Sequence, residues 1–439
     1  MARRITVLGT GYLGATHAAC LAELGFEVLG LDTEPDVIAA LAAGELPFYD
    51  PGLDELLQRG LRSGRLRFTT SYAEVADFGD VHFVCVGTPQ RADSAGADLS
   101  QLLSCIDSLA PRLERPCLIA GKSTIPVGTA ASLAERITEL APAGAQVQLA
   151  WNPEFLREGF AVADTLRPER IVVGVRSAEA EAILREVYAE PIAAGVPFLV
   201  TGYETAELVK VAANAFLATK ISFINAMAEV CEAAQADVTE LADALAYDHR
   251  IGPASLRPGL GFGGGCLPKD IRAFMTRATE LGAAESVSFL REMDAINGRR
   301  RSRMVALAQD LAGGSLAGRR VGVLGLAFKP DSDDIRDSPA LAVATAVHAL
   351  GAQVTAYDPV AMDRARRAHP ELGYAGSILG AAADADVLLL LTEWPEFSQA
   401  DPEVIGKAVA SRNVADGRNA LDAGAWQAAG WTYRALGRP

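Results

Sequence analysis

The chain has 439 residues, half of them hydrophobic, enough for large cores and for roughly two or three domains. Its net charge of −15 argues against nonspecific nucleic-acid binding and against adhesion to an anionic membrane. An anionic ligand would therefore have to be gathered by local basic groups working against the protein's own field. No secretory signal is legible before the first strand. No apolar run reads as long enough to span a bilayer; the longest, near Ala340 to Ala352, is broken by His348. Cysteines stand at 20, 85, 105, 117, 231 and 266 with no CxxC, and no metal is expected. Cys20, Cys85 and Cys117 lie in apolar contexts and read as buried reduced thiols. A cytoplasmic protein without membrane or nucleic-acid partners is the expectation.

In chain order, RITVLG (4–9) predicts a strand, GTGYLG (9–14) follows, THAACLAEL predicts a helix, and FEVLGLD closes a second strand on Asp32. Strand, G-x-G-x-x-G, helix, strand and acid together point to a dinucleotide site. Gly9 permits the tight turn, Gly11 lets a pyrophosphate approach the helix N-terminus, and Gly14 lets helix pack on strand. Asp32, 18 residues after Gly14, would accept from the adenosine ribose. Thr33, Glu34 and Pro35 offer no base for a 2′-phosphate, which favours NAD over NADP.

Further strands are predicted in 80–89, 116–124, 147–154 and 170–175, with helices between them: a parallel, doubly wound sheet. Thr88 and Thr124 stand at strand ends, on the edge where such sheets bind ligands. From Tyr203 to Ile251 there is neither Gly nor Pro, and the segment predicts a helix of more than 30 residues. A helix so long and apolar would span between domains or form an oligomer seam. A second Gly-punctuated strand at Arg320 opens another Rossmann-like half. Its first loop lacks the full fingerprint and carries Lys329, suggesting a different phosphate ligand. The fold class is α/β: two Rossmann-like doubly wound lobes joined by a long central helix and a helical middle domain. The boundaries expected are 1–200, 201–312 and 313–439.

Lys210 and Asn214, four residues apart, would share one helix face and could donate to an oxyanion; a solvated lysine and an interior asparagine fit as well. In LGFGGGCLPKD (260–270), Pro268 and Asp270 place Cys266 at a helix N-terminus, where partial positive charge favours the thiolate. The glycines would allow a ligand close to the backbone; an incidental cysteine in a glycine loop is the alternative. A nicotinamide cofactor with a nucleophilic thiol suits oxidation of an aldehyde to an acid through a thiohemiacetal and a thioester. Hydrolysis of the thioester needs an activated water, hence a carboxylate. WNPEFLREG (151–159) offers Glu154 and Glu158, which could share a helical face or merely be a solvated pair.

GTGYLG, VGTP, KSTIPVGT, NPEFLREG, the long helix, RIGP, GFGGGCLPKDIRAF, FKPDSDDIRDSP, AYDP and DGRN, in this order, resemble the UDP-glucose/GDP-mannose dehydrogenase family over nearly the whole chain. The resemblance implies a four-electron oxidation of a sugar 6-hydroxymethyl to a carboxylate, with two NAD reduced per turnover. UDP-glucose is the expected nucleotide-sugar and GDP-mannose the alternative; a noncatalytic nucleotide-sugar sensor is the reading from another class. By resemblance Cys266 is the nucleophile, and Lys210 and Asn214 stabilise oxyanions. Asp270 assists proton removal, Thr124 and Glu154 position and activate the water, and Glu158 lies near the nicotinamide. The cofactor set implied adds Tyr12, Leu13, Thr88, Cys266 itself and Arg336 to the fingerprint. The substrate set is Glu154, Phe155, Leu156, Lys210, Asn214, Arg257, Phe262, Gly263, Lys329 and Arg418. Arg250 would reach the partner's active site in a homodimer built on the long helix. Two positions depart from the family: Val37 stands where a base is common near the adenosine, predicting weaker NAD binding. Gly265 stands where serine is common before the nucleophile, with no change expected in the chemistry.

Overall fold

The computed structural model describes residues 3–439. The chain divides into two compact units, one running to Ala213 and taking in Arg272–Gly282, the other Asn214–Ile271 with Ala283–Pro439.

The first unit holds eight strands: β1 (Arg4–Leu8), β2 (Glu27–Leu31), β3 (Leu66–Thr69), β4 (Val81–Val84), β5 (Cys117–Gly121), β6 (Val147–Trp151), β7 (Ile171–Val175) and β8 (Phe198–Thr201). They lie in the order β3-β2-β1-β4-β5-β6-β7-β8. The first six follow the doubly wound dinucleotide-binding order. The expectation of a parallel sheet holds through β6; β7 pairs antiparallel with β6, so β7 and β8 run against the rest. Strand interiors are continuous apolar runs because both faces are covered. Ile5 and Val7 enter one core with Phe83 and Leu118, while Leu8 enters the other with Val84 and Ile119.

The second unit repeats the plan with β9 (Arg320–Leu324), β10 (Gln353–Tyr357), β11 (Gly373–Tyr374), β12 (Val387–Leu390), β13 (Asn413–Asp416) and β14 (Thr432–Ala435). Their order is β11-β10-β9-β12-β13-β14, all parallel. Local devices repeat too. Asp80 accepts from the amide of Arg4 at the head of β1, and Asp386 from that of Arg320 at the head of β9, each at 2.9 Å. The amides of Gly9 and Gly325, both at positive φ, each donate at 2.8 Å to the last residue of the neighbouring strand.

The predicted long helix is Tyr203–Ala234, 32 residues, and a shorter helix, Val238–Ala246, follows it. By length and composition alone it is apolar enough to cross a membrane, which corrects the expectation that no run is. Some of its charges are engaged inside the protein, however. The Glu207 carboxylate accepts from the amides of Gly128 and Ala130, at 2.7 and 2.6 Å, capping the helix Thr129–Leu140, and Glu232 pairs with Arg300 and Arg303.

In the second lobe the Asp358 carboxylate, fully buried, accepts from the amides of Leu326, Ala327, Val360 and Ala361 and from the Trp394 indole, at 2.8–3.3 Å. Removing it strands these donors. Asp358→Ala is expected to lower the unfolding free energy by about 3 kcal/mol or more, read by urea titration.

Candidate active site

The glycine fingerprint separates into packing and opening. A Cβ at Gly14 would lie 1.8 Å from the Gly9 carbonyl oxygen, and one at Gly9, at φ +84°, would lie 2.9 Å from Val86. A Cβ at Gly11 would meet no protein atom within 4 Å. Gly11 is thus left bare by something other than packing, and a pyrophosphate at the start of the helix Tyr12–Glu23 fits that open space. Asp32 accepts from the Thr10 amide at 2.8 Å and the Glu34 amide at 3.2 Å, which sets its carboxylate beside the loop. These groups fit a dinucleotide. Val37 packs, partly buried, against the core. The Tyr12 hydroxyl donates to Asp50, which also accepts from the Gly159 amide at 2.8 Å, tying the fingerprint to the turn holding Glu158. Asp50 drew no attention in the sequence; burial raises both its pKa and that of Tyr12.

Lys210 and Glu154 meet in a buried ion pair, Nζ to Oε1 2.8 Å. Glu207, one turn before Lys210, anchors the helix to the loop after β5 that carries Thr124. Thr88 and Thr124 stand after β4 and β5, and the Thr88 hydroxyl donates to the Thr124 carbonyl at 2.7 Å. The predicted helical face shared by Glu154 and Glu158 does not form: residues 152–157 are irregular and 158–160 turn. Glu154 Oε2 captures the Leu156 amide at 2.7 Å, and Asp164 captures that of Arg157. Such local side-chain bonds compete with helix. The Lys210 ammonium lies 5.6 Å from the centre of the Phe155 ring, and the Arg170 guanidinium 4.0 Å from it. Leu13 and Leu156 are half-buried. Lys122, just before Ser123 and Thr124, is buried as well; it fell within the predicted strand 116–124 and drew no attention in the sequence.

In the other unit the helix Leu267–Glu280 begins immediately after Cys266, as expected, and the Asp270 amide donates to the Cys266 carbonyl at 2.9 Å. Asp270 is buried, accepting from Asn214 Nδ2 at 2.7 Å and Lys269 Nζ at 2.6 Å. Lys210 and Asn214 are therefore one helical turn apart and each engages a carboxylate. The glycine run, expected to leave room for a ligand, is filled by protein. A Cβ at Gly261 would sit 1.8 Å from Asn297 Oδ1, at Gly263 2.5 Å from the Asp337 carbonyl, and at Gly264 2.9 Å from the Phe328 ring. A Cβ at Gly265 would sit 2.3 Å from the Arg336 guanidinium, itself paired with Asp334. The glycines let the segment before Cys266 lie directly on residues 328–337. Phe262 is buried, its amide and carbonyl both bonded to the Asn297 side chain. Arg418, expected on the nucleotide-sugar, donates to the carbonyls of Leu391, Gly261 and Phe328 and pairs with Glu393. Lys329 lies 5.5 Å from the centre of the Phe328 ring. Arg257 is exposed; Arg250 is too, held by Asp248.

Fold and site together define an NAD-binding oxidoreductase. The sequence pattern of the UDP-glucose/GDP-mannose dehydrogenase family matches in three parts: its NAD binding domain over residues 3–192, its central domain over 204–299 and its UDP binding domain over 322–423. The chain belongs to that family. It is 39% identical to a UDP-glucose 6-dehydrogenase of Rhizobium meliloti, covering 99% of this chain and 100% of the relative. The structure of a UDP-glucose dehydrogenase from Pyrobaculum islandicum superposes with a TM-score of 0.91 at 35% identity, covering 100% and 98% of the two chains. That of a UDP-D-ManNAc dehydrogenase from Pyrococcus horikoshii gives 0.85 at 28%, covering 99% of each.

Among the six cysteines, Cys266 alone is exposed, and burial pushes Cys20, Cys85 and Cys105 up to about 12 and Cys117 to about 11. Native protein at pH 8 is expected to take up one equivalent of iodoacetamide, located at Cys266 by peptide mass mapping. Labelling of a second cysteine at a comparable rate would contradict this.

Proposed function

We propose that the protein oxidises UDP-glucose to UDP-glucuronate, with two NAD reduced per sugar. The observation that carries the substrate is the full-length likeness, at 38–39% identity, to several bacterial proteins named UDP-glucose 6-dehydrogenase, against 28% for the UDP-D-ManNAc dehydrogenase. NAD, when bound at the Gly9–Gly14 loop, supplies the hydride acceptor. Cys266 Sγ adds to the carbonyl of the aldehyde, giving a thiohemiacetal whose oxidation leaves a thioester. Lys210 and Asn214 donate to the oxyanions, with Asp270 orienting the Asn214 amide and taking part in proton removal. Water oxygen then adds to the thioester carbonyl, the C–S bond breaks, and the sulfur leaves as the Cys266 thiolate. Glu154, set beside Lys210, takes the water proton, and Thr124 positions the water. Glu158 lies by the nicotinamide, and Thr88, Tyr12, Leu13 and Arg336 complete the cofactor contacts. Phe155, Leu156, Arg257, Phe262, Gly263, Lys329 and Arg418 bind the nucleotide-sugar; Arg418 acts partly by holding the carbonyls of Gly261 and Phe328 in place.

The three-domain division expected from sequence is kept in this reading. Phe216, Phe223 and Val230 are exposed at seven-residue spacing on the long helix, which supports a homodimer there, with exposed Arg250 reaching the partner's site. None of the six cysteines is joined in a disulfide, which suits the reducing cytoplasm.

The purified protein is expected to form two NADH per UDP-glucose and markedly less from GDP-mannose or UDP-GlcNAc at equal concentration, followed at 340 nm (an assay wavelength of about that value). No NADH from any of the three would favour the sensor. Cys266→Ser is expected to stall at or near the first oxidation, and full turnover by it would exclude the thioester. Lys210→Ala is expected to lower kcat by about 100-fold or more.

A further inference from the structure

Lys122 carries its amine into an interior that gives it no carboxylate contact among the described residues. Its Nζ donates to Asn152 Oδ1 at 3.2 Å and to the Tyr188 hydroxyl at 3.4 Å. The rings of Phe83 and Tyr188 lie 5.8 and 6.0 Å away. The Tyr188 hydroxyl itself donates to Asn152 Oδ1 at 2.6 Å, and Asn152 Nδ2 donates to the Val172 carbonyl at 2.9 Å, which settles the orientation of the amide. Burying an amine with no carboxylate partner is costly, and a methionine would fill the same volume without that cost. Stability alone therefore does not account for this side chain.

Its position suggests what does. Lys122 follows β5 and directly precedes Ser123 and Thr124; Asn152 follows β6 and precedes Pro153 and Glu154. The Lys122–Asn152 bond thus ties together the ends of the two strands that carry the proposed water-positioning threonine and water-activating carboxylate. The charged and titratable groups around it are His17 from the helix Tyr12–Glu23, Cys85 after β4, Tyr188, Glu154 and Lys210. Burial pushes the Lys122 pKa down, Cys85 and Glu154 oppose this, and Lys210 adds to it. Glu154 itself is in contact with Lys210.

We propose that Lys122 is a positioning residue for hydrolysis of the Cys266 thioester. It holds the Glu154 segment through Asn152. The inference rests on Glu154 serving as the base. It predicts a defect confined to the second half of the reaction: with Lys122 gone, the carboxylate loses its register with Thr124.

The test uses the whole enzyme with NAD and UDP-glucose, quenched through the first turnovers, with the Cys266 adduct followed by intact mass. In Lys122→Met the adduct is expected to accumulate and the steady-state rate to fall about 10-fold or more, with KM for NAD within about twofold of the parent. Tyr188→Phe, which keeps the Lys122–Asn152 bond, should hydrolyse the adduct at close to the parental rate; a merely structural role would slow both variants alike. If Lys122→Met does not fold, Asn152→Leu, which keeps the volume and removes the acceptor, is expected to give the same accumulation. A folded variant that hydrolyses the thioester at the parental rate, or that slows the first oxidation equally, overturns the inference. Glu154→Gln distinguishes the two levels. Accumulation in Glu154→Gln but not in Lys122→Met removes Lys122 alone, whereas unimpaired hydrolysis in Glu154→Gln removes the reading of Glu154 on which it rests.

Discussion

A parallel strand covered on both faces has only its ends to offer to a ligand, and the carboxyl end is where its loops open. Most of the candidate groups in the two lobes obey this constraint. In the first lobe Gly9, Asp32, Thr88, Lys122 to Thr124 and Asn152 to Glu154 follow β1, β2, β4, β5 and β6 in turn. In the second, Gly325 to Lys329, Asp358, Glu393 and Arg418 follow β9, β10, β12 and β13. The exceptions come from helices. Lys210 and Asn214 lie on the long helix, and Cys266 and Asp270 lie at the head of another.

The two lobes share a plan but not a ligand, and the difference lies in how each spends one carboxylate. Asp32 accepts from Thr10 and Glu34 and remains half-buried beside a loop that opens at Gly11. Asp358 is enclosed by four amides and an indole, beside a loop whose corresponding residues, Leu326 and Ala327, are fully buried. The first loop admits a pyrophosphate against its backbone. The second is closed at that point, and Lys329 is the basic group it offers instead.

Charge is concentrated where water is scarce. Glu154 and Lys210 are both nearly buried, and Lys122 is buried as well. Each charge is costly to desolvate, so their attraction is worth more than at the surface while their separation would be costly. A protein of net charge −15 thus buries one lysine against a carboxylate and a second lysine within the same unit.

The βαβ opening, the second lobe, the long helix and the seat of Cys266 were legible because each is written in local pattern: strand runs, glycine spacing, absence of breakers, and Pro268 with Asp270 at a helix start. The pairings were not. Glu154 and Glu158 read as one helical face, but Glu154 bonds the Leu156 amide and no helix forms there. The glycines from Gly261 to Gly265 read as space for a ligand, yet Asn297, Asp337, Phe328 and Arg336 come from distant sequence to occupy it. Lys122 passed as one more residue of the predicted strand 116–124, because nothing in KST reports that Phe83, Asn152 and Tyr188 close over it. By itself, then, the amino-acid sequence determined the elements, their order and the chemical types available. Tertiary structure alone decided which carboxylate meets which cation and which glycine is packed rather than open. Burial and pairing depend on residues far apart along the chain, and only the folded chain brings these together.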